Sequence, residues 1–142
     1  MSVRQLSVFA ENKNGTIYEI TKLLADGGIN IRAFSVAETA SFGVLRLIVD
    51  DPRQAAAVLS AADKIVSVTD VVAAAIPDRQ GGLSELLSVL LGANITIDYL
   101  YAFVKNVTGG ACVVLRVADN EAVEKVLADA GFVILTEEEI RE

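Results

Sequence analysis

The fold of this 142-residue chain is decided by the stretch Asp78-Arg-Gln-Gly-Gly-Leu-Ser-Glu-Leu-Leu-Ser-Val-Leu-Leu-Gly-Ala-Asn-Ile-Thr-Ile-Asp98. An earlier stretch, Asn12-Lys-Asn-Gly-Thr-Ile-Tyr-Glu-Ile-Thr-Lys-Leu-Leu-Ala-Asp-Gly-Gly-Ile-Asn-Ile-Arg32, has nearly the same pattern. Equivalent positions lie 66 residues apart, among them Gly15 and Gly81. A repeat of this length predicts that the chain consists of two copies of one structural unit.

Each copy has the hydrophobic periodicity of strand, helix, strand, strand, helix, strand. In the first copy the pattern predicts strands at 4–10, 29–38, 43–49 and 65–68. The first helix is expected to start at Asn14 or Gly15, and its apolar stripe consists of Ile17, Ile20, Leu23 and Leu24. The second helix is expected to start at Asp50-Asp51-Pro52. The second copy predicts strands at 71–76, 95–104 and 132–136 and a helix at 83–91. The hairpin loop at 106–110 is two residues longer than its counterpart in the first copy, so equivalent positions after it lie 68 residues apart. With this spacing, Ala55, Val58, Leu59 and Ala62 match Val123, Val126, Leu127 and Ala130.

This order predicts an α+β protein made of two ferredoxin-like βαββαβ sandwiches in tandem. In each, two helices cover one face of a four-stranded antiparallel sheet. We expect the domains at residues 1–69 and 70–142, with little more than Thr69-Asp70 between the two copies.

The amino-acid composition disfavours some classes of binding partner and favours others. The net charge is −7 without a basic cluster, which disfavours nucleic acid and anionic membranes. The apolar fraction of 53% predicts sheet surfaces covered by a partner, and so a homodimer. A single cysteine and the absence of a signal pattern or a membrane-length apolar run predict a soluble cytoplasmic protein.

Catalytic chemistry is poorly supported. The chain has no histidine, which excludes Ser-His-Asp and Cys-His nucleophiles and a typical zinc site. Cys112 is expected in a strand core, where a thiol is inert. Asp50-Asp51 resembles a metal pair, but helix capping before Pro52 explains it better. We therefore expect no catalytic site, metal or cofactor, and we interpret 137–142 as a solvated turn of helix.

The glycine turn after each first strand is the candidate binding feature. Backbone amides at a helix amino terminus bind carboxylates well, and Gly15 and Gly81 allow close approach of a ligand. The simpler interpretation is that these glycines only shape tight turns. Their occurrence at the same place in both copies favours binding.

Polar residues at the start of each second strand are the other candidates. Asn30 is suited to hydrogen-bond a ligand, and Asp98 to pair with an ammonium group, although both are equally well explained as solvent-facing strand residues. Tyr99 and Tyr101 are expected on one sheet face, where they line a pocket or, as is more common, an interface.

At these residues the chain resembles the ACT domain, a small regulatory module that binds amino acids. The resemblance rests on the strand and helix order, on the turns Asn12-Lys-Asn-Gly15 and Asp78-Arg-Gln-Gly81, and on Gly28-Ile-Asn-Ile31 with Ala93-Asn-Ile-Thr-Ile97. It covers essentially the whole chain as two tandem copies without an attached catalytic domain. The usual family turn has a proline where Asn14 and Gln80 stand here. The family asparagine is kept as Asn30 but is Thr96 in the second copy, and the family acid is kept as Asp98 but is Arg32 in the first.

The resemblance implies modules that pair side by side through their second strands, with an amino acid in the seam between one glycine turn and the other module's second strand. The implied ligand-binding residues are Asn12, Asn14, Gly15, Thr16, Ile17, Asn30, Ile31, Arg32, Asp78, Gln80, Gly81, Gly82, Leu83, Thr96, Ile97, Asp98, Tyr99 and Tyr101. One site would combine 12–17 with 96–98, the other 78–83 with 30–32, and the two are not equivalent.

The hypothesis that follows is a non-enzymatic amino-acid sensor that acts on a partner metabolic enzyme. The rival is a structural regulatory subunit that assembles with an enzyme and binds no small molecule. A cryptic enzyme is disfavoured, because neither a histidine nor an acid/base pair is evident.

Overall fold

The computed structural model describes residues 2–11, 15–38, 42–105 and 110–141. The chain divides into two compact units, one formed by Arg4–Thr69 and the other by Asp70–Ile140 together with Ser2 and Val3. Each unit has its own sheet and its own pair of long helices.

The order of elements confirms the expected tandem βαββαβ fold. The first copy contains β1 (Val3–Glu11), α1 (Thr16–Asp26), β2 (Ile31–Glu38), β3 (Phe42–Val49), α2 (Pro52–Ala61) and the start of β4 (Ile65–Ile76). The second contains the rest of β4, α3 (Gly82–Gly92), β5 (Ile97–Lys105), β6 (Gly110–Val117), α4 (Asn120–Asp129), β7 (Val133–Ile134) and α5 (Glu137–Arg141).

The strands of both units have the ferredoxin-like order. In the first unit the order is β2-β3-β1-β4, and in the second it is β5-β6-β4-β7. Strands β1 and β3 pair antiparallel with Leu6 opposite Leu47, and strands β4 and β6 pair antiparallel with Ala74 opposite Val113. The second strand of each copy, β2 or β5, therefore ends the order of its own sheet.

One boundary differs from the prediction. The sequence predicts separate strands at 65–68 and 71–76, but β4 is a single strand of 12 residues that runs through Thr69 and Asp70. Neither residue is a glycine or proline, so nothing there breaks the extended backbone. The end of one copy and the start of the next are thus one element.

The two cores occupy equivalent positions of the repeat. Core side chains come from alternate residues of the strands and from one stripe of each helix. The matched pairs are Leu6 and Val72, Val8 and Ala74, Ala10 and Ile76, Ile20 and Leu86, Leu24 and Leu90, Leu45 and Val113, Leu47 and Leu115, Val49 and Val117, Ala55 and Val123, and Leu59 and Leu127.

Two other expectations need correction. Ile17, predicted in the buried stripe of α1, is 43% exposed, because it lies in the first turn and core contacts begin one turn later at Ile20. The 137–142 segment is not simply solvated. Ile140 is buried, and Thr136 and Glu139 exchange hydrogen bonds of 3.0–3.2 Å, the reciprocal arrangement that stabilises a helix start.

Cys112 lies fully buried in β6, as expected. In the part of the chain that the structure describes, no helix is both long and apolar enough to cross a membrane.

Candidate functional site

The two glycine turns have nearly identical backbones. Gly15 (φ 87°, ψ −4°) and Gly81 (φ 83°, ψ −1°) are the left-handed N-cap residues of α1 and α3. Their carbonyls accept hydrogen bonds from Glu19 and Glu85, both at 2.9 Å. A Cβ atom at either glycine would meet nothing within 4 Å, so the left-handed backbone rather than crowding favours glycine here.

Neither helix start is capped by a side chain of its N-cap residue. The first backbone amides of an α-helix have no partner within the helix, and they attract anions together with the helix dipole. In α3 the first of these amides, that of Gly82, already donates to the Arg79 carbonyl at 3.1 Å, so only the later amides of this helix start are open to a carboxylate.

The other predicted residues of the turns differ in exposure. Asn12 and Asn14 lie outside the described residues. Thr16 is the half-buried first residue of α1. Asp78, Gln80 and Leu83 are exposed around the second turn.

The second turn is tightly built. A Cβ atom at Gly82 would lie 2.2 Å from the carbonyl oxygen of Pro77, which also accepts a hydrogen bond from the Arg79 amide at 2.9 Å. Nη2 of Arg79 lies 2.8 and 2.9 Å from the two carboxylate oxygens of Glu85. In the first copy Thr16 stands at the position of Gly82.

The helix that follows each turn ends in the same way. Gly28 (φ 74°) and Asn94 (φ 59°) take the left-handed conformation, and the next amides, of Ile29 and Ile95, bond back to the helix at 2.9 and 3.0 Å. Asn30 and Thr96 directly precede β2 and β5, and both are exposed.

Each second strand contains a β-bulge that the sequence did not reveal. The register shifts between Ile31 and Ala33 in β2, and between Ile97 and Tyr99 in β5. Arg32 and Asp98 are therefore the extra residues at equivalent positions. A bulge redirects a side chain and bends its strand. The opposite charges of Arg32 and Asp98 therefore stand at equivalent bulges, one in β2 and one in β5.

Arg32 and Asp98 differ in their surroundings. Asp98 is exposed. Arg32 is half-buried, and its Nε has no hydrogen-bond acceptor among the described residues. In β5, Ile97 before the bulge and Leu100 after it pack on the core, Tyr101 is buried and Tyr99 is half-buried.

Asp50 has a role that sequence reasoning missed. Asp51 caps α2 by accepting from the Gln54 amide at 3.0 Å, which confirms the capping interpretation for that residue. Asp50 instead accepts a hydrogen bond from the backbone amide of Asn30 at 3.0 Å. It therefore ties the end of β3 to the entrance of β2. Within the described residues, no group of three or more His, Cys, Asp and Glu side chains is arranged to hold a metal ion.

A protein-family model described as the ACT domain pair matches residues 1–142. The chain belongs to the ACT domain family. The resemblance inferred from the glycine turns and the second strands is thereby confirmed.

Solved structures agree with this assignment. Protein BT0572 from Bacteroides thetaiotaomicron is 36% identical over 99% of this chain and 96% of that one, with a TM-score of 0.91. The regulatory subunits of aspartate kinase from Thermus thermophilus and Thermus flavus share the fold, with TM-scores of 0.66 and 0.64. They are 12% and 11% identical, and the matches cover 90% and 89% of this ACT domain pair and 91% of each subunit. No curated protein sequence matches the chain.

Proposed function

We propose that this ACT domain pair is a non-catalytic regulatory protein that binds a small amino acid or a close analogue at the seam between its two domains. The observation that carries the proposal is the pair of glycine turns, in each of which a left-handed glycine occupies the N-cap position and supplies no side-chain cap to the helix. The ligand carboxylate would bind backbone amides of the helix start, which in α3 means those that follow Gly82, since the Gly82 amide donates to Arg79.

The second strands would supply specificity. Arg32, with its Nε lacking an acceptor among the described residues, is suited to a carboxylate, and the exposed Asp98 is suited to an ammonium group. One site would combine 78–83 with 30–32 and the other 12–17 with 96–98. Because the charges are opposite, the two sites would differ in ligand or in affinity.

The regulatory role would come from a ligand that bridges two modules and biases their relative orientation, so that a partner metabolic enzyme is engaged differently. Aspartate kinase regulatory subunits from two Thermus species have the same fold, which supports a role of this kind. We further propose the two domains to be residues 1–69 and 70–142, and the location to be the cytoplasm, where a free thiol such as Cys112 is stable.

We also propose a homodimer. Phe34 and Val36 lie on one face of β2 and are 67% and 48% exposed. Exposed apolar side chains that share a surface mark a site of contact with another chain. Light scattering at micromolar concentration tests this, and a monomeric mass would contradict it.

Calorimetry with the twenty amino acids at millimolar concentration tests ligand binding. In the variant Gly81→Asp, a carboxylate would stand where the ligand carboxylate binds, and aspartate tolerates a left-handed backbone better than most residues. We expect binding at that turn to be lost while the fold and the dimer persist.

The matched control is Gly131→Asp. Gly131 has φ 93°, and a Cβ there also meets nothing within 4 Å. It lies after α4, and its counterpart in the first copy, Asp63, is already an aspartate with φ 64°. The absence of heat with every amino acid, or equal affinities for both variants, would contradict the proposal.

The alternative function is a structural regulatory subunit that assembles with an enzyme and binds no small molecule. The exposed apolar side chains Phe34 and Val36 favour it. Under this alternative, Gly81→Asp leaves every property unchanged, whereas Phe34→Ser abolishes assembly.

A further inference from the structure

Arg32 contains a buried hydrogen-bond donor that the first domain does not use. It is the extra residue of the bulge in β2, between Ile31 and Ala33, and its side chain is half-buried. Its Nε atom is itself buried, and no acceptor bonds to it among residues 2–11, 15–38, 42–105 and 110–141. A guanidinium carries a permanent positive charge and presents its donors in a planar fork. A buried donor that lacks an acceptor destabilises the protein, so an incoming acceptor at this place is favourable.

The second copy shows that the bulge itself does not require a cation. Asp98 is the extra residue of the equivalent bulge in β5, and it is exposed. On the neighbouring strands, the equivalent residues Val49 and Val117 stand opposite the residue that precedes each bulge. The same backbone irregularity is therefore formed once with a negative and once with a positive side chain. The charge of Arg32 is thus available for recognition rather than needed to form the bulge.

A carboxylate is the acceptor that fits Arg32. Carboxylates match the guanidinium fork and form two parallel hydrogen bonds with it. Such a pair is stronger where water is partly excluded, as it is around this half-buried side chain. The chain as a whole has a net charge of −7 and repels anions at long range. Recognition of an anion by Arg32 would therefore be a local property of the bulge and not of the general surface.

The function proposed above places one ligand carboxylate on backbone amides of the α3 helix start. Arg32 belongs to the same proposed site, so its guanidinium calls for a second carboxylate on the ligand. We propose that this site selects a dicarboxylic amino acid, of the class of aspartate and glutamate, and that Arg32 determines the selectivity. At the other site Asp98 would repel the second carboxylate and so favours an amino acid without one. The inference rests on the seam function proposed above.

Two pairs of ligands test the charge requirement at nearly constant shape: glutamate with glutamine, and aspartate with asparagine. The members of each pair differ only by a carboxylate in place of an amide at the end of the side chain. In calorimetric titrations of the full chain, one site should bind the better acid about tenfold or more tightly than its amide, the usual effect of a hydrogen bond between charged groups. The other site should not share this preference.

Arg32→Gln assigns the preference to the guanidinium, because it removes the charge and keeps a polar side chain. We expect the acid to lose affinity until it binds no more tightly than the amide, while the affinity for the amide changes little. The readout is the ratio of the two affinities within one variant. A purely structural effect of the substitution would lower both affinities together and leave that ratio unchanged.

Arg32→Asp is a second variant in case Arg32→Gln does not fold. It places at the bulge of β2 the residue that the chain already carries at the equivalent bulge of β5, as Asp98. This variant should prefer the amide to the acid. The matched control is Arg53→Gln, which removes the same charge from an exposed residue in the first turn of α2. The control should keep the full preference for the acid.

The outcomes separate this inference from the function on which it rests. Binding of neutral amino acids without any preference for an acid would overturn the inference and leave the seam function standing. A preference for the acid that persists in both Arg32 variants would assign the selectivity to other residues and would also overturn it. If none of the twenty amino acids binds, both proposals fail. A preference for the acid that is lost in the Arg32 variants and kept in Arg53→Gln supports the inference.

Discussion

Asp50 and Asn30 close a two-way link across the base of the β2–β3 hairpin. Oδ1 of Asp50 accepts a hydrogen bond from the Asn30 amide at 3.0 Å, and the Asp50 amide donates to the Asn30 carbonyl at 3.2 Å. The link lies two residues before the bulge at Arg32. The hydrogen bond to the Asp50 side chain has no counterpart in the second copy, because Ala118 stands at the position equivalent to Asp50.

Replacing Asp50 should loosen the entrance of β2. We expect Asp50→Ala to lower the free energy of unfolding by about 1 kcal/mol, the usual value of one hydrogen bond. Asp50→Asn keeps an acceptor oxygen and should cost less. Urea unfolding measures both, and an equal loss in the two variants would mean that charge rather than the hydrogen bond stabilises this link.

Gly82 should tolerate no side chain. A Cβ atom there would overlap the Pro77 carbonyl oxygen at 2.2 Å, so Gly82→Ala has to displace the second turn. We expect a loss of about 1–3 kcal/mol, as for other overpacked sites. Gly92→Ala, in the same helix with nothing within 4 Å, is the control and should be neutral or stabilising. Equal unfolding midpoints for the two variants would contradict this prediction.

The two bulge residues, Arg32 and Asp98, should each contribute to a different ligand site. Arg32→Met keeps the hydrocarbon stem and removes the guanidinium, whereas Asp98→Asn removes only the negative charge. If the proposed amino-acid sites exist, each variant should weaken binding at one site about tenfold or more, the usual effect of losing a hydrogen bond to a charged group. Calorimetry resolves the two sites, and unchanged isotherms for both variants would exclude these side chains as ligand contacts.

Cys112 should react only when the second domain opens. Its side chain is fully buried in β6 between neighbours in β4 and β5. We expect labelling by a chromogenic disulfide reagent to be slow in the native protein and rapid in guanidinium chloride, with the native rate following local or global opening. Rapid labelling without denaturant would show that β6 is more accessible than its burial indicates.

The sequence predicts most of the fold because the signals that matter are local and occur twice. Alternation in strands and the helical stripes identify the core, and the matched pairs Leu59 with Leu127 and Leu24 with Leu90 are all buried. The glycine turns are equally visible, because a left-handed residue before a helix favours glycine.

The features that the sequence did not reveal depend on distant pairing. A bulge such as that at Arg32 is defined by the register against another strand, and neither bulge residue is a glycine that would signal it. The contact of Asp50 with Asn30 spans 20 positions, and that of Lys64 with Glu19 spans 45. Side chains so far apart in the sequence meet only once the sheet and the helices are in place, so no local pattern predicts them.

The continuous strand β4 has a consequence for how the protein can be divided. The chain repeats itself after 66 residues, yet no spacer separates the two copies. The last strand of one copy runs directly into the first strand of the next, through Thr69 and Asp70. Neither copy can therefore be separated from the other without damage to the fold. A cut at this boundary, by a protease or in a truncated expression variant, divides β4, the strand that belongs to both copies.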